Sequence, residues 1–161
     1  MRYFVISIFL ISVFLSGCST PPSSPQKAVD TKTSQRIKPP EIQLALSDDA
    51  LLYSEHGAYN WTERNGDTEE SVSVEADTPT VIGARMDAVE LKPEEKVAIK
   101  FDSDSVPELE VFVHLEDGNT EEVALEGNTI VLPSDIGRYI YEVNGEWPEG
   151  TASYIFVVEI K

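Results

Sequence analysis

Apolar side chains recur at every second position in several short runs of this sequence. The clearest runs are residues 71–75, 97–101 and 109–115. Within the run 97–101, the large apolar side chains occupy the odd positions, and Ala98 and Lys100 lie between them. A period of two is typical of a strand with one buried face, because successive side chains point to opposite faces of a sheet. The pattern therefore predicts half-buried β-strands.

Turn signals separate these runs at fairly regular intervals, at residues 64–67, 116–119, 126–128 and 147–150. The Asp117-Gly118 pair lies between two β-rich runs and is a good hairpin signal. We expect eight or nine strands over residues 41–161, and no helix apart from a short turn near residues 93–95. Many short strands separated by turns favour a sandwich over a barrel or a parallel sheet. The predicted fold class is therefore all-β, an antiparallel β-sandwich.

Residues 135–143, DIGRYIYEV, resemble the penultimate strand of immunoglobulin-like domains. In those domains an Asp-x-Gly-x-Tyr motif forms a tyrosine corner, in which the Tyr hydroxyl bonds the backbone a few residues upstream. The resemblance implies structural roles for Gly137 and Tyr139, and an immunoglobulin-like form for the sandwich. Antibody domains have a disulfide cysteine two residues after this Tyr, whereas this chain has Tyr141, so packing takes the place of the bridge. Residues 151–161 are expected to form the final strand.

The N-terminal segment has the order of a secretory signal. Arg2 precedes an apolar run at residues 3–14, and small residues follow it. The run is too short for a comfortable membrane span, although an uncleaved anchor helix is the alternative. The LSGC stretch at residues 15–18 resembles the lipobox of bacterial lipoproteins. That resemblance implies removal of residues 1–17 and attachment of diacylglycerol to the Cys18 thiol.

Lipid attachment of this kind would hold the protein at the cell membrane, facing the extracytoplasmic side. Each buried methylene contributes about 0.8 kcal/mol, and one acyl chain holds only marginally while two, such as a pair of palmitate chains, hold stably. The predicted diacylglyceryl group has two acyl chains and is therefore expected to hold the protein stably at the membrane.

Residues 18–40 are predicted to be a tether. They include five prolines and many Ser and Thr, and they have too few large apolar side chains to offset the entropy of ordering, so we expect a disordered or partly polyproline linker. Its 22 residues after the cysteine span about 26 Å as a random coil, or about 68 Å as polyproline II. The tether has four basic residues and one acidic residue, a net charge of +3, whereas residues 41–161 have seven basic and 28 acidic residues, a net charge of −21. Two segments of such different charge indicate two different roles.

Three stretches of the domain also resemble a small domain of lipoproteins from Bacillus-type Gram-positive bacteria. They are GAYNWT at 57–62, KFDSDSVPELEVFV at 100–113 and GRYIYEVNGEWPEGTASYIFVVEIK at 137–161. The shared features are glycines, aromatics and strand alternation. The resemblance therefore implies a fold and a location rather than an activity.

Several function classes are disfavoured by composition and motifs. The excess of acidic residues repels phosphate backbones, so we expect no nucleic-acid binding. One cysteine excludes an intrachain disulfide framework and a multi-cysteine zinc site. Of the two histidines, His114 is expected on the solvent face of a strand and His56 in a turn beside Gly57. Because no motif supplies the named catalytic roles, we predict that the protein is not an enzyme and carries no cofactor.

Asp102 and Asp104 are weak candidates for a metal site. They begin like a calcium loop, but the sixth position is Pro107, where a glycine is needed, and the twelfth is Val113, where a bidentate Glu is needed. We therefore favour a solvated loop in which Asp102 bonds local backbone amides.

Trp147 is a weak candidate for ligand binding. The sequence places it in the loop between the last two strands, where a Trp is either a plug or a contact residue. Trp61, in an early strand, is expected in the core.

Three functions remain open. The first is a lipid-anchored, extracytoplasmic, non-catalytic interaction module of the bacterial cell envelope, with an unknown protein or envelope partner. The second is a domain that binds a small molecule or a cation such as calcium at its loop ends. The third is an accessory subunit of a surface enzyme or sensor. The acidity itself favours a solubilising surface over a specific cationic ligand.

Overall fold

The computed structural model describes residues 37–115 and 117–161. The predicted signal peptide, Cys18 and most of the predicted tether lie outside the described residues. The described part contains eleven strands and one helix: β1 Ile42–Ala45, β2 Leu51–Leu52, β3 Glu55–Asn65, β4 Thr68–Val74, α1 Pro79–Arg85, β5 Val89–Leu91, β6 Lys96–Phe101, β7 Glu108–His114, β8 Thr120–Glu122, β9 Thr129–Val131, β10 Gly137–Trp147 and β11 Gly150–Ile160.

The strands form two sheets. Sheet A has the order β2-β1-β6-β9, and sheet B has the order β4-β3-β11-β10-β7-β8. β5 pairs in parallel with β11, and the other pairs are antiparallel. The β1-β6-β9 and β8-β7-β10-β11 neighbours correspond to the ABE and C′CFG neighbours of immunoglobulin domains. The all-β sandwich prediction is confirmed.

The alternating runs take the positions that their pattern predicts. In β6, Val97 and Ile99 are buried and Lys100 is exposed. In β7, Val111 and Val113 are buried. The expected count of eight or nine strands was too low, partly because β2 and β5 have two and three residues, too few for a pattern to show.

Two of the predicted turns require glycine, each for a different physical reason. Gly118 has a φ of +87°, which favours glycine, and its turn joins β7 to β8 as expected. Gly150 follows the tight turn between β10 and β11. A Cβ on Gly150 would lie 2.0 Å from the carbonyl oxygen of Asn60, so only glycine allows β3 to approach this closely.

Helix α1 is the main feature that the sequence did not predict. Its seven residues include Thr, Val and Gly, which are weak helix formers, so its stability has to come from packing. Ile82 of the helix and Met86 just after it contact Ile155 and Val157 of β11. Arg138 of β10 donates hydrogen bonds to the carbonyls of Gly83 (2.7 Å) and Met86 (2.9 Å). Carbonyl groups at the C-terminal end of the helix thereby gain the hydrogen-bond partners that the helix itself does not provide.

Strand β11 is buried on both faces. Tyr154, Phe156, Val158 and Ile160 point between the sheets, while Ile155 and its neighbour Val157 lie under α1.

The ring of Phe156 stacks on that of Tyr141, with centroids 4.9 Å apart and planes at 9°. Tyr141 and Phe156 are paired residues of neighbouring strands, so the stack lies within sheet B. Tyr141 is buried in the core, which is the packing expected there in place of a disulfide.

Candidate functional site

The tyrosine corner motif makes a local contact. The hydroxyl of Tyr139 donates a hydrogen bond of 3.0 Å to the carbonyl of Asp135, four residues upstream. Gly137 is the first residue of β10 and pairs with Ile160 of β11. These contacts hold the start of β10 in place.

Trp147 is not in a loop. It is the last residue of β10, and only 4% of it is exposed. Its ring meets Phe101 at 5.0 Å and Trp61 at 5.4 Å, both edge to face, and its Nε1 donates a hydrogen bond to the carbonyl of Ser105 (3.3 Å). The sequence misplaced it because the β10–β11 turn needs only Pro148 and its neighbour Glu149, so β10 runs one residue further than the WPEG signal indicates. Trp147 is therefore a plug at one end of the core, and Trp61 lies in the core as expected.

Asp102 bonds a distant part of the chain rather than local amides. Its Oδ1 accepts a hydrogen bond from the amide of Glu41 at 2.6 Å, and its own amide donates to the carbonyl of Glu41 at 3.1 Å. Asp104 is exposed. Across residues 37–115 and 117–161, no three His, Cys, Asp or Glu side chains are grouped so that they could hold a metal ion.

These contacts belong to a site that we call the tether junction, residues 38–41, where the chain enters the domain. The hydroxyl of Tyr154 donates a hydrogen bond of 2.5 Å to the carbonyl of Pro40. The carboxylate of Glu41 accepts hydrogen bonds from the Lys38 ammonium and from His56 Nε2, the latter at 3.1 Å. Packing against the core begins at Ile37, four residues before the predicted start of the domain.

Charge and burial at the tether junction shift three pKa values. Hydrogen bonds from Lys38 and His56 hold the pKa of Glu41 below its usual value of 4.5. The same contact with Glu41 raises the pKa of Lys38. Burial raises the pKa of the Tyr154 hydroxyl.

His56 lies inside β3, not in a turn as the sequence suggested. Its ring is 4.9 Å from that of Tyr154 and 6.2 Å from that of Tyr59. Its Nδ1 is buried and has no hydrogen-bond partner among the described residues. A proton on Nδ1 would be a buried, unpaired donor, so the favoured tautomer carries its proton on Nε2 and donates it to Glu41.

His114 lies on the outer face of sheet B and joins three strands. Its Nε2 is 3.0 Å from a carboxylate oxygen of Glu142 in β10, and its Nδ1 is 3.1 Å from the hydroxyl of Thr120 in β8. This arrangement is a structural clamp across the sheet edge.

A shallow groove of about 710 Å³ crosses the part of the outer face of sheet B that α1 leaves uncovered. We call it the acidic groove. Side chains from five strands line it, including Asn60, Asn144, Thr151 and Ser153. Its carboxylates are Glu108, Glu110, Glu122, Glu142 and Glu146.

The sequence does not predict the partners that form the tether junction, namely Glu41, His56 and Tyr154. The available signal was the Pro-Pro-Glu sequence at 39–41, which marks the end of the proline-rich stretch. Nothing local indicated that a tyrosine 114 residues away would hold it.

Comparison of the chain with protein-family models, with curated proteins and with solved structures found no match. Within the described residues, no helix has both the length and the apolar character needed to cross a membrane.

Proposed function

We propose that this chain is a lipid-anchored, non-catalytic interaction module of the bacterial cell envelope, held on the extracytoplasmic side of the membrane. The observation that carries the proposal is the LSGC stretch at residues 15–18, directly after an apolar run and directly before a proline-rich stretch. Two acyl chains on Cys18 would anchor the protein stably.

The tether junction supports this assignment because it gives the tether a firm attachment. The chain is held where it enters the domain by one residue of sheet B and by one residue that follows a strand of sheet A. Asp102, which follows β6 of sheet A, bonds the backbone of Glu41, and Tyr154 of sheet B bonds the backbone of Pro40. Pro39, near the end of the predicted tether, is buried. Because the entry point of the chain is fixed on the domain, the distance between the domain and the membrane depends on the tether alone.

The acidic groove is the surface that we assign to the partner. Its polar side chains stand on five hydrogen-bonded strands of one sheet, so a partner would meet donors and acceptors in fixed positions. A protein or envelope polymer with amide, hydroxyl or cationic groups fits this chemistry.

The calcium alternative gains no support from the candidate residues. One oxygen of Asp102 already accepts the amide of Glu41, and Asp104 projects from an exposed loop. A ligand that binds the native state has to raise the midpoint of thermal unfolding. We expect the same midpoint in millimolar calcium and in a chelator, and a rise in calcium would favour the alternative.

Metabolic labelling with palmitate in a bacterial host tests the anchor. We expect the wild-type chain to take up label and to sediment with membranes, and Cys18→Ala to lose both properties. Ser19→Ala changes the neighbouring residue outside the LSGC stretch and is expected to behave like wild type. Uptake of label by Cys18→Ala, or its retention on membranes, would contradict the proposal.

A further inference from the structure

The two sheets differ sharply in charge. Among the described residues, the fifteen that form the strands of sheet A include two lysines and no acidic residue. The strands of sheet B contain twelve acidic residues and two arginines. The strand residues therefore carry a net charge of +2 in sheet A and −10 in sheet B, and the remaining −13 of the net charge of residues 41–161 lies outside the strands.

The face of sheet A that points away from the core combines apolar and cationic side chains. We call it the outer face of sheet A. Its register places Leu51 opposite Ala45 and Ala45 opposite Ala98, in a row of apolar residues across three strands. Lys100 pairs with Gln43 beside this row, and on its other side Lys96 of β6 pairs with Val131 of β9.

Two large side chains on this face are well exposed. Leu51 is 63% exposed, and Tyr53, just after β2, is 66% exposed, whereas Leu52 between them is buried. Val131 is partly exposed at the opposite edge. A lone exposed leucine is ordinary, but here an exposed Leu, Tyr and Val share a face with two lysines.

This combination matches the chemistry of a membrane surface. Tyrosine rings sit well at the level of the lipid headgroups, where one end is apolar and the other is wet. Exposed leucine and valine can enter the boundary between headgroups and acyl chains, and lysines attract anionic headgroups.

Acidic residues at the rim limit the strength of such a contact. Glu126 pairs with Lys96 at 3.4 Å, and Asp48 and Asp49 lie in the turn that joins β1 to β2. Glu94 and Glu95 precede β6. The contact is therefore weak by itself and depends on being held near the membrane.

The predicted tether supplies that proximity. As a random coil it has a root-mean-square span of about 26 Å, which corresponds to a high effective concentration of membrane surface. The acidic groove does not oppose the contact strongly, since it lies on the far side of the sandwich. Stacked sheets are about 10 Å apart, and the screening length at physiological salt is about 8 Å.

We propose that the outer face of sheet A rests on the anionic phospholipid surface of the anchoring membrane, so that the acidic groove faces away from it. The inference rests on the lipid anchor proposed above and adds an orientation to it. Leu51 and Tyr53 enter the headgroup layer, and Lys100 meets lipid phosphate.

The test uses the full lipidated chain in phosphatidylglycerol vesicles that contain lipids with nitroxide headgroups. Lipid occupies the Cys18 thiol, so a cysteine introduced at an exposed position can carry a single fluorophore. Gln43→Cys reports on the outer face of sheet A, and Thr151→Cys, in the acidic groove, is the matched control. We expect quenching at Gln43→Cys to exceed that at Thr151→Cys several-fold. Adding Lys96→Gln and Lys100→Gln is expected to reduce this difference while flotation with the vesicles stays unchanged.

The outcomes separate the two proposals. Flotation with equal quenching at the two positions would overturn the orientation and leave the anchor standing. Failure of the lipidated chain to float would overturn the anchor, and the orientation with it. Energy transfer between fluorophores on two molecules at Gln43→Cys, without quenching by lipid, would show that this face pairs with a second copy, which also overturns the orientation.

Discussion

Sheet A and sheet B share one core, but their outer faces differ in chemistry. Between the sheets, both contribute the same kind of side chain, for example Ile99 from sheet A and Phe156 from sheet B. On the outside, sheet A presents apolar residues and lysines, whereas sheet B is covered partly by α1 and otherwise presents carboxylates. The core requires only that one face of each strand be apolar, so the other face is free to carry function.

The largest expected effect tests whether the two sheets form one folding unit. Phe156→Ala in sheet B should lower the free energy of unfolding by about 3–5 kcal/mol, and Ile99→Ala in sheet A by about 2–5 kcal/mol, because each leaves a cavity in the shared core. Denaturant unfolding, followed by tryptophan fluorescence and by circular dichroism, measures both.

The control is Thr151→Ala on the outer face of sheet B, which should change stability by less than about 0.5 kcal/mol. Separate transitions for the two probes in Ile99→Ala would show that sheet A unfolds independently. The two sheets would then be two folding units and not two faces of one folding unit.

A second prediction concerns the helix that covers sheet B alone. A Cβ on Gly83 would lie 2.6 Å from Cγ2 of Ile140, so Gly83→Ala forces the helix away from β10. We expect a loss of about 1–2 kcal/mol in denaturant unfolding, since overpacking outweighs the better helix propensity of alanine. Ile140→Ala removes Cγ1, Cγ2 and Cδ1, the three atoms that this Cβ would meet, so Gly83→Ala should cost less in that background than in the wild type. Additive effects of the two substitutions would indicate that they do not meet.

A third prediction concerns alkaline stability, because two buried phenols lie in sheet B. Burial raises the pKa of Tyr141 and of Tyr154 above the usual value of 10.0. The unfolded chain therefore loses these protons first, so stability is full below pH 10 and falls as the pH rises above it. The expected slope is about 1.4 kcal/mol per pH unit for each tyrosine.

Unfolding in denaturant at pH 9, 10 and 11 measures this slope. Tyr141→Phe should remove about half of it, whereas Tyr53→Phe, on the outer face of sheet A, should leave it intact. An equal effect of the two variants would contradict the assignment of the slope to sheet B.

The smallest expected effect is at the tether junction, where residues of both sheets meet. The pKa of Glu41 is lowered, so its contribution to stability is present above its usual value of 4.5 and is lost as the pH falls below it. The side chain is 48% exposed and the ion pairs are screened, so we expect less than about 1 kcal/mol. Glu41→Gln should flatten the acid limb of a stability–pH profile, and Glu75→Gln, outside the junction, should not.

The sequence predicts what depends on local pattern. Alternation predicts the buried faces of β6 and β7, and the Asp117-Gly118 pair predicts the hairpin between β7 and β8. Lipid attachment at Cys18 stays a prediction, since that residue lies outside the described part of the chain.

What the sequence does not predict depends on contacts between distant residues. Helix α1 forms because β11 offers it an apolar face, not because its own residues favour a helix. The sequence predicts that Asp102 bonds local amides, but its partner lies 61 residues away. The WPEG signal predicts a loop at Trp147, because it does not reveal that the strands pair up to Trp147 and Gly150.

The tether junction also has a mechanical consequence. A force applied through a membrane anchor reaches the hydrogen bonds at Pro40 and Glu41, where Tyr154 belongs to one sheet and Asp102 adjoins the other. In a single-molecule pull from the N-terminal side, Tyr154→Phe is expected to lower the force at which β1 detaches. With the hydroxyl present, tension is divided between both sheets, so the domain can be dragged by its tether without being peeled open from one edge.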